Sequence, residues 1–389
     1  MTKKVILNLT GTHNSGKSTL LRKLGSKPLK IPIYPEIADE LSKRYGLKVA
    51  TKENDELDAI IMENELERFG SVADADQRIV VVETGNIGNI GYALLRNPNL
   101  AQHYVQLIKN RLSYTELVGL HLTIDPQTLI KRLSKYYPSG FTGAEVQFFM
   151  NVQDSIMEAY RLCGVEPIIL DGRLPADDLY KMAEISLRKR FYGPFYVLEG
   201  LNACGKSTVS RKLGEELGIT VIESPPKELT EKIPRDQVNG RNPEERYLYY
   251  MQGNTMISDQ LARSLQLSSG AICVRYVGST LVGLSAIGNR PIEDVYKEKV
   301  DNLRGILVPD ATFYLTASRE ELIRRMLGDT TRDQLKDTDL NQLVDPEFNE
   351  RLRMGNDYLA SRLNWVTIST DGIGPDQVAK IIQGYLISK

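Results

Sequence analysis

Cysteine and histidine are scarce in this chain. Its three cysteines, Cys163, Cys204 and Cys273, show no paired spacing, and its three histidines, His13, His103 and His121, do not cluster. A disulfide scaffold or a Cys/His metal site is therefore not what organises the fold, and a reducing cytoplasm is the setting this composition implies. No apolar run approaches the roughly 18 residues of a membrane helix. The short apolar stretch after Met1-Thr2-Lys3-Lys4 gives way at Thr10, too soon for the core of a signal peptide. Neither sign of charge dominates: 49 Lys and Arg face 50 Asp and Glu for a net charge of −1, and no basic run is interleaved with aromatics. With neither a nucleic-acid footprint nor an acidic tail, the expected partners are small molecules rather than polynucleotides or membranes.

What the chain does have is length and a repeat. At 389 residues it exceeds one ordinary core, and about 150 residues per domain predicts two or three units. Two segments fit G-x-x-x-x-G-K-[ST], namely Gly11-Thr12-His13-Asn14-Ser15-Gly16-Lys17-Ser18-Thr19 and Gly200-Leu201-Asn202-Ala203-Cys204-Gly205-Lys206-Ser207-Thr208. Each follows an apolar strand pattern (Val5 to Leu9; Phe195 to Leu198) and precedes an amphipathic helical one, the context a phosphate-binding loop requires. The glycines let the backbone curl so that successive N–H groups face phosphate oxygens, and the following helix adds the positive end of its dipole. Lys17 and Lys206 are placed to bridge β- and γ-phosphates, and Ser18 and Ser207 to give a hydroxyl to Mg²⁺. The expected cofactor is ATP with Mg²⁺, bound by Gly11, Asn14, Ser15, Gly16, Lys17, Ser18 and Thr19 in one half. Gly200, Asn202, Ala203, Cys204, Gly205, Lys206, Ser207 and Thr208 form the matching set in the other. Cys204 reads as a small loop-filling residue.

Both halves then run through the same order of parts. The first helix is followed by a strand ending at Tyr34-Pro35-Glu36, or by Thr220 to Glu223; next come helices and a strand, Ile79 to Glu83 or Ala271 to Arg275. A further strand, Leu120 to Asp125 or Thr312 to Thr316, leads into a helix with basic residues. Each half closes on a strand and an Asp-Gly pair, Asp171-Gly172 or Asp371-Gly372, before a terminal helix. Lys17 and Lys206 are 189 residues apart, and Asp171 and Asp371 are 200 apart. Strands alternating with helices predict an α/β fold in two tandem units, each a parallel sheet with helices on both faces and active-site loops at the strands' C-terminal ends. The basic helix end before Gly193-Pro194 marks the junction, giving domains 1–190 and 191–389.

There is no N-K-x-D tetrapeptide and no L-S-G-G-Q stretch, which argues against a GTPase and a transporter ATPase. The second half resembles thymidylate kinase across nearly its whole length. The family's F-x-x-x-E-G-x-D-x-x-G-K-S-T is matched by Phe195 to Thr208, its D-R-[YH]-x-x-S by Val274-Arg275-Tyr276-Val277-Gly278-Ser279, and its P-D-x-T-x-x-L by Pro309 to Leu315. An arginine-rich segment follows (Arg319, Arg324, Arg325, Arg332), then Phe348, Arg351 and Tyr358 at the family's F-x-x-R-x-x-x-x-x-Y rhythm. The resemblance implies tandem P-loop kinase-like domains. Lys206, Arg275, Arg325 and Arg332 would serve the transferring phosphoryl group, the lid arginines closing over the γ-phosphate. Tyr249 would stack on the acceptor base, and Arg275, Tyr276 and Ser279 would contact the acceptor. Thymidylate kinases are commonly dimeric, so a homodimer is one expectation; a tandem chain that supplies the contact internally is the other.

The departures fall on the acceptor side. Asn202 stands for the family's loop aspartate, Val274 for the acidic residue of D-R-Y, Gly253 for an expected arginine, and Val282-Gly283-Leu284 for A-Y-Q. Two readings stay open at this point: a kinase for a nucleoside or nucleotide other than plain thymidylate, and a nucleotide-binding regulatory protein with one degenerate half. The first half, with Tyr34-Pro35-Glu36-Ile37-Ala38, is similar to nicotinamide riboside kinases and deoxynucleoside kinases. There Lys17 and Glu83 would be catalytic, Glu83 occupying the place of Val274, and Glu36 would act toward a substrate hydroxyl. The alternatives for these two acids are a helix cap at Glu36 and a solvated strand end at Glu83. Two successive phosphorylations by one chain are the expectation that the duplication suggests.

Overall fold

The computed structural model describes residues 3–45, 55–73, 76–112, 115–136, 141–328 and 345–387. The chain divides into two compact units, Met1–Phe191 and Tyr192–Lys389, meeting where the helix Ala176–Phe191 ends. Unit 1 holds strands β1 (Lys4–Gly11), β2 (Ile33–Tyr34), β3 (Ile79–Glu83), β4 (Thr115–Thr123) and β5 (Pro167–Asp171) in the order β2-β3-β1-β4-β5. Unit 2 holds β6 (Phe195–Glu199), β7 (Thr220–Glu223), β8 (Ala271–Val274), β9 (Ala311–Thr316) and β10 (Val366–Ser369) in the order β10-β9-β6-β8-β7. Every pairing is parallel. The two sheets therefore share one topology, with the loop-bearing strand at the centre.

The sequence accounts for that centre. Val5, Leu7 and Leu9 on β1 and Ile79, Val80 and Val81 on β3 are completely buried. Such unbroken apolar strands fit a parallel sheet covered on both faces, where β-branched side chains pack well and no face meets water. The edge strand β7 is largely exposed instead. One face of the first sheet packs a cluster that joins Ile6, Val80 and Val82 to Ile87, Ile90, Ile108 and Ile156 of the covering helices. In the second sheet, Leu198, Phe313 and Leu315 meet Val209, Leu213, Leu322 and Ile382.

A buried polar network in unit 1 ties the central strand down. The buried Tyr160 hydroxyl donates to the Asn8 carbonyl at 3.0 Å and meets Thr10 Oγ1 at 2.9 Å, which in turn lies 2.9 Å from His121 Nδ1. Burial, helped by the charge of Lys17, pushes His121 down to about 4, so the ring stays neutral and can share a proton with Thr10. A buried hydroxyl without such partners would cost about 1–3 kcal/mol. This network anchors the β1 backbone just ahead of the first loop.

The helix Gly85–Arg96, which starts directly after β3, crosses the helix Gly143–Cys163 at Gly91. Ser155 Oγ donates to the Gly91 carbonyl at 2.7 Å, and a Cβ at Gly91 would lie 2.5 Å from Ile156 Cγ1 and 2.9 Å from Ile156 Cα. The crossing is that close because residue 91 has no side chain. Gly91→Ala should therefore lower the stability of unit 1 by about 1–3 kcal/mol despite alanine's better helix propensity. A urea unfolding curve checks this, and an unchanged midpoint would contradict the packing argument.

Candidate functional site

The two loops share a backbone. Gly11 and Gly200 have φ of 148° and 136°, Asn14 and Ala203 φ of 55° and 63°, and Gly16 and Gly205 φ of 110° and 93°. Alternating into the left-handed region turns successive N–H groups toward one point, the geometry of an anion-binding nest. Glycine is required at the first position. A Cβ on Gly11 would stand 2.6 Å from Ser15 Oγ and 2.7 Å from the Leu122 carbonyl oxygen, and one on Gly200 would run into the Leu315 carbonyl. The helices Lys17–Gly25 and Lys206–Leu217 begin immediately after, aiming their N-termini at the nest.

Both lysines are buried and rest on loop carbonyls. Lys17 Nζ donates to Gly11 O and Thr12 O, each at 3.1 Å; Lys206 Nζ donates to Gly200 O at 2.9 Å and Leu201 O at 2.5 Å. Burial pulls Lys206 down to about 8, partly opposed by Cys204, whose Sγ lies 3.5 Å away. In the first loop Asn14 Nδ2 and Ser15 Oγ are buried without hydrogen-bond partners. Orphaned polar groups beside a nest and an ammonium fit a phosphate ligand.

A second feature recurs in both units. Arg132 Nη1 donates to Asn14 O at 3.0 Å and Ser15 O at 2.9 Å, while its Nη2 reaches Gly172 O at 2.6 Å. Arg325 Nη1 donates to Ala203 O at 3.3 Å and Thr370 Oγ1 at 3.0 Å, and its Nη2 to Thr370 O at 2.6 Å. Each arginine stands six residues after the first residue of its helix, Pro126–Tyr136 or Arg319–Gly328. Arg325, expected over the γ-phosphate, instead fastens the phosphate loop to the segment after β10. Its equivalence with Arg132 was readable from that shared helix position. Arg332 lies outside the described residues.

The units differ at the loop serine. Glu83 pairs with Leu9 across β1 and β3, and its Oε1 accepts from Ser18 Oγ at 2.6 Å. A hydroxyl beside a carboxylate at a phosphate loop is a suitable hard-oxygen pair for Mg²⁺, which would neutralise phosphate charge there. In unit 2 the register Leu198↔Val274 puts valine at the same place, and among the described residues no carboxylate meets Ser207. Thr84 and Arg275, the next residues, share positive φ of 57° and 67°. Arg275 donates its guanidinium to Asn202 Oδ1, so the residue standing for the family's loop aspartate is tied to the arginine of the D-R-Y segment. Glu199 is fully buried and accepts from Tyr276 N at 3.0 Å, Ser279 N at 3.1 Å and Ser279 Oγ. Burial raises its carboxyl above the usual range, against those hydrogen bonds. It thus holds the start of the helix Val277–Gly288, as Asn8 holds that of Gly85–Arg96 through Ile87 N at 3.1 Å.

Beside β2, unit 1 gathers acids with their counterions. Glu36 follows β2, and its charge is felt by Tyr92 and by Glu65, which burial lifts to about 7 against the pull of Arg68. Arg68 clasps Glu65 and donates to Pro35 O at 2.6 Å. Arg96 and Asp58 form a pair at 2.7 Å, with side chains 2% and 4% exposed. Glu36 is half-buried just after β2, within electrostatic reach of both Glu65 and Tyr92.

Unit 2 instead opens a cavity of about 410 Å³ against its loop, with Asn202, Ser207 and Arg275 at one wall. Arg235 and Arg246 also line it, and Tyr247, Tyr250 and Phe348 supply aromatic surface. Tyr249, expected to stack on a base, is buried with Leu229 and Val238 and donates to Ile233 O at 2.9 Å. The helix Pro243–Ser264 turns Tyr250 into the cavity instead, one residue along and about 100° around it. Gly253 abuts Pro225, its absent Cβ only 3.0 Å from that ring, so an arginine there would need the ring to give way. Tyr276 and Ser279 also line the cavity, and Ser279 is engaged by Glu199.

Residues 198–374 match the family model for thymidylate kinase. The second unit carries a thymidylate kinase-like domain. A thymidylate kinase of Malacoplasma penetrans (strain HF-2) is 29% identical over 152 residues, covering 36% of this chain and 71% of that protein. Among solved structures, the thymidylate kinase of Candida albicans covers 51% of this chain and 92% of its own, at 17% identity and a TM-score of 0.39. A deoxyadenosine kinase from M. mycoides covers 50% and 100%, at 17% identity and a TM-score of 0.39.

The buried Lys206 gives the site a pH signature. Nucleotide phosphates need its ammonium form, which the free protein loses above about 8. Binding above that pH must take up a proton, so affinity at the second loop should fall about tenfold per pH unit between 8 and the higher pKa of the complex, and stay flat just below 8. ADP titration from pH 7 to 10 in the Lys17→Ala chain checks this; a flat profile to pH 10 would contradict it.

Proposed function

We propose that the chain is an ATP- and Mg²⁺-dependent phosphotransferase acting on a nucleoside or nucleoside monophosphate, its two units carrying out successive phosphorylations. The observation that carries this reading is the cavity of unit 2. A phosphate loop forms one wall, three arginines reach in, and aromatic side chains line the remainder, which suits an acceptor that joins an anionic group to a flat ring. Unit 1 brings carboxylates to the equivalent side, which suits an uncharged acceptor whose hydroxyl must lose a proton. Glu36 is assigned there as the base and Glu83, with Ser18, as the group that keeps Mg²⁺ in place. This reading follows the resemblance of unit 1 to nicotinamide riboside and deoxynucleoside kinases.

The residues do little covalent chemistry. The loop amides and the lysine spread the charge of the transferring group, and the buttressing arginine holds the loop rigid, so catalysis is chiefly positioning and electrostatic stabilisation. Val274 favours a second reading, in which unit 2 binds nucleotide and regulates unit 1 without turnover.

Phosphotransfer from Mg²⁺·ATP to a panel of nucleosides and monophosphates, with Lys17→Ala and Lys206→Ala compared to the parent, separates the readings. Each variant should remove a different product. Loss of every product with Lys17→Ala and of none with Lys206→Ala supports the regulatory reading, and no phosphorylated acceptor in the parent overturns the assignment. Arg246→Ala should raise KM for a monophosphate acceptor at least tenfold while leaving KM for ATP unchanged, because losing a charged contact to phosphate costs about 1.5–3 kcal/mol. Steady-state kinetics reads this out, and an unchanged acceptor KM would remove Arg246 from the acceptor site.

A further inference from the structure

Unit 2 lacks a carboxylate at Val274, yet its cavity is not without one. Among the described residues lining it, Glu223 is the single acid. Glu223 ends β7 and pairs directly with Val274 in the parallel ladder of β7 and β8. Paired residues of parallel strands point to the same face of the sheet. The Glu223 side chain therefore leaves the sheet on the face where Glu83 leaves it in unit 1, but one strand farther from the phosphate loop. In unit 1 the arrangement is reversed: the acid is Glu83 on β3, and the residue after Tyr34 on the β2 side is Pro35.

We propose that Glu223 supplies, from the neighbouring strand, the carboxylate that unit 2 lacks at Val274, and that it holds loop-bound Mg²⁺ through water opposite Ser207. This rests on the phosphotransferase reading of the unit. Strand spacing is about 4.8 Å, too far for the contact that Glu83 makes with Ser18 but close to the width of one intervening water layer. Mg²⁺ dehydrates reluctantly and normally keeps several waters, so an outer carboxylate is a suitable ligand for it. The nearby alternatives are engaged. Glu199 uses both oxygens on Tyr276 and Ser279, and Asn202 is neutral and bonded to Arg275. Glu223 is exposed and forms no ion pair among the described residues, so its charge is available to the ion.

The test reads metal binding rather than turnover. In the full-length Lys17→Ala chain, which silences the first loop, Mn²⁺ binding in the presence of saturating ADP is followed by the electron paramagnetic resonance of free Mn²⁺. Glu223→Gln should weaken Mn²⁺ at least tenfold, the usual effect of losing an outer-shell ligand, while metal-free ADP affinity stays the same. Val274→Asp added to that chain should restore the affinity. Glu228→Gln, an exposed acid on the helix Lys227–Lys232, should change nothing. Unchanged Mn²⁺ affinity in Glu223→Gln overturns the role of Glu223 alone. Equal losses in Glu223→Gln and Glu228→Gln also overturn it, by reducing it to general charge. If the Lys17→Ala chain binds no Mn²⁺·ADP while the parent binds one equivalent, both the proposal and the kinase reading of unit 2 fall.

Discussion

Everything functional in this chain depends on burying an ammonium inside a tight turn of backbone. A lysine placed at 5–8% exposure, as Lys206 and Lys17 are, is tolerated only where carbonyls or anions face it. Each loop meets that demand by turning two carbonyls onto the ammonium, which forces left-handed backbone at Asn14 and Gly16, or at Ala203 and Gly205. The same turn aims the N–H groups the other way, into the nest. The lysine's counter-charge and the phosphate cradle are thus two sides of one conformation.

That conformation has to be held from outside, and both units do so with the same device. A guanidinium from the helix after the fourth strand takes loop carbonyls on one side and the segment after the fifth strand on the other. Its rigid fork suits the task, since several parallel N–H donors meet carbonyls fixed by the sheet. The helix after the third strand is fixed by a polar side chain of the central strand, Asn8 in one unit and Glu199 in the other. Scaffold parts recur because any nucleotide site on this fold needs them. The side chains beyond the loops do not recur: carboxylates and their cations stand there in one unit, arginines and aromatics in the other.

This division explains what could be read from the sequence. The duplication, the loops, the strand order's repeating parts and the equivalence of Glu83 with Val274 were legible, because each is local or fixed by ladder register. The acceptor wall was not. Tyr249 and Tyr250 are adjacent in an all-round apolar stretch of one helix, and only the Leu229 and Val238 contacts decide which one is core. Arg235, Arg246 and Glu223 come from separate elements whose convergence depends on tertiary packing, so no spacing rule marks them. Arg325 was misplaced for a related reason: a basic helix gives no sign of whether an arginine faces a ligand or its own backbone.

The contrast between the acceptor sides follows from electrostatics. Three guanidiniums around a cavity with one acid among its described lining residues create a field that is satisfied by an anion and costly without one. Unit 1 pairs its buried charges internally, Arg96 with Asp58 and Arg68 with Glu65, and burial lifts Glu65 toward neutrality. A phosphate entering there would meet acids already matched to their cations and would have to break a pair to bind. An uncharged acceptor has no such cost. Under the proposed phosphotransferase reading, that asymmetry would set a direction, with unit 1 acting first on an uncharged acceptor and unit 2 on its phosphorylated product.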